Sequence, residues 1–219
     1  MSSRNDGNYG LDTKRLEAFS DGVFAVAITL LIFQIKMPTG ETTRQAGGLG
    51  AFLGKLWPSY VAYALSFVTI GVYWANHHFL FRLVKRTSHG FIMVNVLLLM
   101  AVSFIPYPTA VLGDRYPNEA ERATAVSFYA VSMSLAAFCW LMVWLFARSR
   151  NLTDARLTPA FLKSLTRQYL MGNVFYLAAL VASFFSTTLS LVITFGLTVL
   201  YTLPPRKPEY EDGSEAPKT

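Results

Sequence analysis

The chain has 219 residues, of which 53% are hydrophobic and 15% charged, against about 25% charged in an average soluble domain. Its mean hydropathy of +0.37 and 15% aromatics argue against a disordered chain. Long apolar blocks argue against an ordinary soluble enzyme: five are long enough to read as membrane spans, and a sixth is slightly shorter.

The expected spans, in chain order, are Leu16–Lys36, Trp57–Phe81, Gly90–Leu112, Ala123–Ala147, Lys163–Phe185 and Thr187–Leu203. Before the first lies a polar segment, residues 1–13, without the pattern of a cleaved signal. Pro58 falls in the first turn of the second span, where proline is tolerated. Pro106 and Pro108 are expected to kink or end the third span early. The fifth and sixth spans are joined at about Ser186 and must form a tight helical hairpin. These elements predict one all-α membrane bundle over residues 14–204, followed by a disordered tail, 205–219.

The net charge of +6 would suit nucleic acid in a soluble protein. Here the basic residues lie in short loops between apolar blocks, so they orient the chain in the bilayer and imply no nucleic-acid partner. Of the 19 Lys and Arg, five (Lys36, Arg44, Lys55, Arg115 and Arg122) fall on one side and the other fourteen on the opposite side. The positive-inside rule then places both termini in the cytoplasm, which an even number of spans permits.

Ionisable groups within spans are functional candidates by default. Asp21 sits six residues past Arg15, roughly 9 Å along a helix. His77, five residues before Arg82, lies at a similar depth of about 7–8 Å. Asn95 and Asn173 fall near the same layer, as do Ser20, Trp74 and Asn76. This layer is either a hydrogen-bonded belt between helices or a proton relay through Asp21 and His77, as in a proton-coupled secondary transporter. No acid lies deeper to continue such a relay. His77 and His78 diverge on a helix and are poor joint metal ligands. No Gly-x-Ser-x-Gly turn or phosphate loop is present, and no cofactor or enzymatic activity is expected. The single cysteine, Cys139, lies within a span and reads as a small buried hydrophobe.

In the first span Gly22, Val26, Thr29, Leu30 and Phe33 share one helical stripe, from which Asp21 points away. That stripe either faces lipid, packs, or serves a function. The run Arg15-x-x-x-Phe19-Ser20-Asp21, followed by Gly-Val-Phe-Ala-Val-Ala-Ile-Thr-Leu-Leu, resembles the signature of the transmembrane protein 175 family of potassium channels. Tyr73-Trp74-x-Asn76-His77-His78 and Phe104-Ile105-Pro106-Tyr107-Pro108-Thr109 also resemble segments of its prokaryotic members. The resemblance implies a pore lined by the first helix, without a filter loop, in a homotetramer of single six-helix repeats in the prokaryotic cell membrane. It maps a hydrophobic constriction to Val26 and further pore layers to Thr29, Leu30 and Phe33. Potassium would pass near Thr29 without a tight site. Arg15, Phe19, Ser20 and Asp21 would form a packing cluster behind the pore helix, with Trp74 and His77 as partners. Val26 departs from the Ile or Leu frequent at the constriction. Thr69-Ile70-Gly71-Val72-Tyr73 loosely matches the usual filter sequence, but it lies mid-span, where Gly71 and Ala75 fit a small-xxx-small helix contact instead.

Overall fold

The computed structural model describes residues 13–211. Among them nine α-helices follow in order: α1 (Thr13–Leu30), α2 (Gly40–Ala46), α3 (Leu49–Lys55), α4 (Trp57–Leu83), α5 (His89–Phe104), α6 (Pro106–Arg115), α7 (Glu119–Ser149), α8 (Pro159–Ser183) and α9 (Thr187–Thr202). A 3-10 segment, Leu31–Gln34, prolongs α1. The described residues form no strand beyond two isolated bridges. The all-helical class expected from the apolar blocks is therefore observed.

The helix starts follow local chemistry. Ser88, Asn118, Thr158 and Ser186 each accept a backbone N–H of the first turn of α5, α7, α8 and α9, which satisfies donors that have no intrahelical partner. Pro58, Pro106 and Pro159 occupy first turns, where a missing N–H costs nothing. Proline at 106 cannot donate to the Val102 carbonyl, and the Ile105 N–H takes that acceptor at 3.1 Å. The third apolar stretch is interrupted there, yet His89–Arg115 remains one 27-residue helical rod.

Thr13–Gln34, His89–Arg115 and Glu119–Ser149 are each long and apolar enough to cross a bilayer. A fourth such unit is α3 with α4, bent by 48°. α9 is a shorter apolar helix. The first fifteen residues of α8 carry Lys163, Arg167, Gln168 and Asn173, a polarity that keeps it below an ordinary span's hydropathy. The segment between the first two spans is itself largely helical. Thr39 forms a capping box with Thr42 at the start of α2, and Gly47 and Gly48, at φ 89° and 122°, turn the chain into α3.

The core lies among α4, α5, α7 and α8, around fully buried Trp144, Tyr129, Met133, Phe91 and Leu80. Trp144 donates to Thr166 at 2.8 Å, which joins α7 to α8. α6 lies so close to α4 that a Cβ at Gly113 would stand 2.7 Å from the Ser59 Cα. Gly71 differs: nothing lies within 4 Å of its Cβ position, so the small-xxx-small contact expected there is not made within the chain. Residues 69–73 are continuous α4, and the run resembling a filter sequence is not a loop.

At the end carrying most basic residues, the loop after α7 docks onto the end of α4. Lys85 N–H donates to Leu152 O, and Asp154 N–H to Leu83 O. Ordered structure extends beyond residue 204, where the tail was expected to begin: Thr158 N–H donates to Glu209 O, and Glu211 N–H to Arg156 O. Backbone pairing of 209–211 with 156–158 fixes this stretch despite its polar composition. The rest of the expected tail, 212–219, lies outside the described residues, as does 1–12.

Candidate pore face and the polar layer behind it

α1 has two unlike faces. Leu16, Ser20, Phe24, Ala27 and the following Leu31 recur at spacings of four, four, three and four, and all are buried. That is the spacing of one helical stripe, and it seats α1 against α4 and α5. The opposite arc is open. Val26 is 57% exposed, Leu30 41% and Phe33 78%, and Thr29 and Gly22 are exposed beside them. The four residues of the expected constriction and pore layers thus share one uncovered surface. Ala25 and Ile32 continue it on the Thr29 side, whereas Ile28 is half-buried against the core.

The Thr29 hydroxyl donates back into its own helix, at 2.9 Å from Val26 O and 3.0 Å from Ala25 O. Its proton is therefore turned toward the backbone. The free lone pairs of Oγ1 remain for a ligand on the open side, which suits a cation rather than an anion.

Behind α1 the expected polar layer resolves into separate bonds. The Asn95 amide joins three helices: it donates from Nδ2 to Ser20 Oγ at 3.0 Å, and its Oδ1 lies 2.9 Å from His77 Nε2. Ser20 passes its own proton to Leu16 O at 2.8 Å. With the Asn95 oxygen as acceptor, His77 must carry its proton on Nε2. The His77 ring lies between Phe24, edge-on at 5.3 Å, and Phe81, stacked at 4.4 Å. Ser20, His77 and Asn95 are all completely buried.

Asp21 is not bonded to His77. Its Oδ1 accepts from Trp74 Nε1 at 2.9 Å. One turn earlier on α1, Glu17 Oε1 lies 2.7 Å from His78 Nδ1. Since α1 and α4 run in opposite directions, residues 17 and 21 meet 78 and 74 as two rungs of a ladder. Asn173 lies elsewhere, donating to Ala137 O at 3.1 Å and bridging α8 to α7. Of the expected packing cluster, Ser20, Asp21, Trp74 and His77 make inter-helix bonds. Arg15 is exposed and Phe19 is 58% exposed, so both face outward from this chain. Asn95 as the hub and the Glu17–His78 rung were not expected, although the matched four-residue spacings 17/21 and 74/78 carry a signal for the latter. No group of three or more metal-ligating side chains occurs among the described residues.

A family profile described as "Endosomal/lysosomal potassium channel TMEM175" matches residues 15–106, which span α1 through the start of α6. A potassium channel of Chamaesiphon minutus is 40% identical over 193 residues, covering 88% of this chain and 94% of the relative. A potassium channel of Streptomyces collinus is 37% identical over 191 residues, covering 87% and 91%. The crystal structure of a lysosomal potassium-selective channel TMEM175 homolog from Chamaesiphon minutus superposes with a TM-score of 0.78 at 40% identity, over 87% of this chain and 96% of the other.

Proposed function

The chain belongs to the TMEM175 family of potassium channels, and from that premise we propose that it forms a homotetrameric pore with α1 of each subunit nearest the axis. It is a multi-pass membrane protein and a potassium channel, not an enzyme. One observation carries the pore reading: the Leu16–Leu31 stripe and the Asp21–Trp74 and Glu17–His78 rungs fasten α1 to its own subunit, while Val26, Thr29, Leu30 and Phe33 stay uncovered. A single helix cannot enclose a channel, and a closed ring of identical subunits supplies the missing walls.

In this reading α1, α4, the α5–α6 rod, α7, α8 and α9 are the six crossings. Both termini lie in the cytoplasm of a prokaryotic cell, on the side richest in Lys and Arg. A ring of Val26 methyl groups forms the constriction, which gates by dewetting. Leu30 and Phe33 continue the apolar wall outward. One Thr29 oxygen per subunit, its proton held by the backbone, replaces part of the hydration shell of a passing ion. Neutral hydroxyls are weaker ligands than a full carbonyl cage, so selectivity for potassium over sodium is modest and no ion is held tightly.

Native mass spectrometry of the purified protein, combined with potassium flux from liposomes, tests this reading. Tetramers with fast, non-saturating flux are expected. A stable monomer or dimer, or flux that saturates at transporter-like rates, would overturn it.

A further inference from the structure

At the end of α8 that carries Lys163 and Arg167, the molecule has a groove of about 910 Å³ between α8, α9 and the segment after α9. Its mouth is basic: Lys163 and Arg167 stand one turn apart on α8, and Arg206 reaches across from the far side, donating from Nη1 to Ser164 Oγ at 3.0 Å. Among the described residues no carboxylate lines the groove, and Lys163 and Arg167 form no ion pair. Deeper along α8 the character changes. Met171 lies four residues, about 6 Å, beyond Arg167, and Phe175 follows one turn later. Leu197 and Leu200 of α9 form the facing wall.

We propose that this groove binds one anionic phospholipid per subunit, with its phosphate among Lys163, Arg167 and Arg206 and an acyl chain along Met171, Phe175, Leu197 and Leu200. Charge that stops where apolar surface begins, along one helix stripe, matches the two ends of such a lipid. Basic pockets between membrane helices on the cytoplasmic side are suited to anionic headgroups. The apolar stretch distinguishes this site from one for free phosphate. The inference rests on α8 and α9 crossing the bilayer, but not on α1 forming the pore.

The full chain in mild detergent is titrated with phosphatidylglycerol, with phosphatidylcholine and with inorganic phosphate, and bound lipid is counted by native mass spectrometry. Phosphatidylglycerol is expected to bind one per subunit and to resist displacement by millimolar phosphate. Removing two near-surface charges, in Lys163→Gln/Arg167→Gln, should weaken it at least about tenfold. Arg82→Gln/Lys85→Gln, at the end of α4, should leave it unchanged. Equal retention of phosphatidylcholine by the unaltered protein, which requires no variant to fold, overturns the proposal. So does displacement by phosphate, or an equal loss in both double variants. Potassium flux, measured on the same preparations, reports separately on the channel.

Discussion

Asp21 and Trp74 are joined by one hydrogen bond of 2.9 Å between carboxylate and indole, and this bond locks the rotation of α1 against α4. Trp74 is itself 47% exposed, so the pair lies at the edge of the subunit rather than in its core. The acid thus positions the helix that carries Val26 and Thr29, instead of standing in line with His77. Asp21→Asn keeps an acceptor oxygen and should assemble normally. Asp21→Ala strands the indole N–H and should lower stability by about 1–3 kcal/mol. Thermal dissociation of the tetramer, read for both variants, checks this. A stable Asp21→Ala assembly with shifted ion selectivity would place the carboxylate in the conduction path.

Much of this arrangement is legible in the residues. The buried stripe of α1 follows from a 3.6-residue period, and depth counting from Arg15, Arg82 and His89 places Asp21, His77 and Asn95 in one layer. Depth alone does not assign partners. Whether His77 meets Asp21 or Asn95 depends on how α1, α4 and α5 cross, and no local pattern encodes those angles. Residues 205–211 illustrate a second limit. A Pro-, Lys- and Glu-rich stretch reads as loose, yet its backbone pairs with residues 156–158 supplied from far away in sequence.

Asn95 should be the costliest polar residue to lose. It satisfies Ser20 and His77 together, and neither has access to water. Asn95→Leu leaves the His77 Nε2–H without its acceptor, and one stranded buried donor costs about 1–3 kcal/mol. Asn95→Leu should therefore destabilise the tetramer more than Asp21→Asn does, with a visible drop in yield. Equal melting temperatures for the two variants would show that the three-helix junction contributes nothing.

The contact between loop and tail carries a pH dependence. Arg156 grips Asp154 with two bonds, Nε to Oδ1 at 3.1 Å and Nη2 to Oδ2 at 2.8 Å, and also lies over the Tyr210 ring. This fork holds the Asp154 carboxyl below its ordinary value. A depressed folded-state value gives stability that is fully present above the unfolded pKa of about 3.9 and is lost as pH falls through the folded one. Hydrogen exchange of the Glu211 amide, bonded to Arg156 O, should stay protected from neutral pH to about pH 4 and open below it. Asp154→Asn should remove the acid step and leave that amide less protected at neutral pH. An acid transition that persists unchanged in Asp154→Asn would assign it to another carboxylate.

The flank of α1 that faces the axis can be decided by four substitutions. Val26 and Thr29 lie on the open arc, Ile32 borders it on the far side of Thr29, and Ile28 is half-buried against the subunit's own core. A valine ring excludes water, so Val26→Asn should wet the constriction and raise unitary conductance. Thr29→Val preserves the shape but deletes the oxygen whose lone pairs face outward, and the potassium-over-sodium reversal potential should shrink while expression holds. Ile28→Val should cost about 0.5–1.5 kcal/mol of stability, as a core truncation does, without altering conduction. Ile32→Val should change neither if that side of α1 contacts a neighbouring subunit or lipid. Planar-bilayer recordings with potassium and sodium on opposite sides read all four. Should Ile32→Val shift the reversal potential while Thr29→Val leaves it fixed, α1 is rotated in the assembled ring, with the Ala25 and Ile32 side toward the ions.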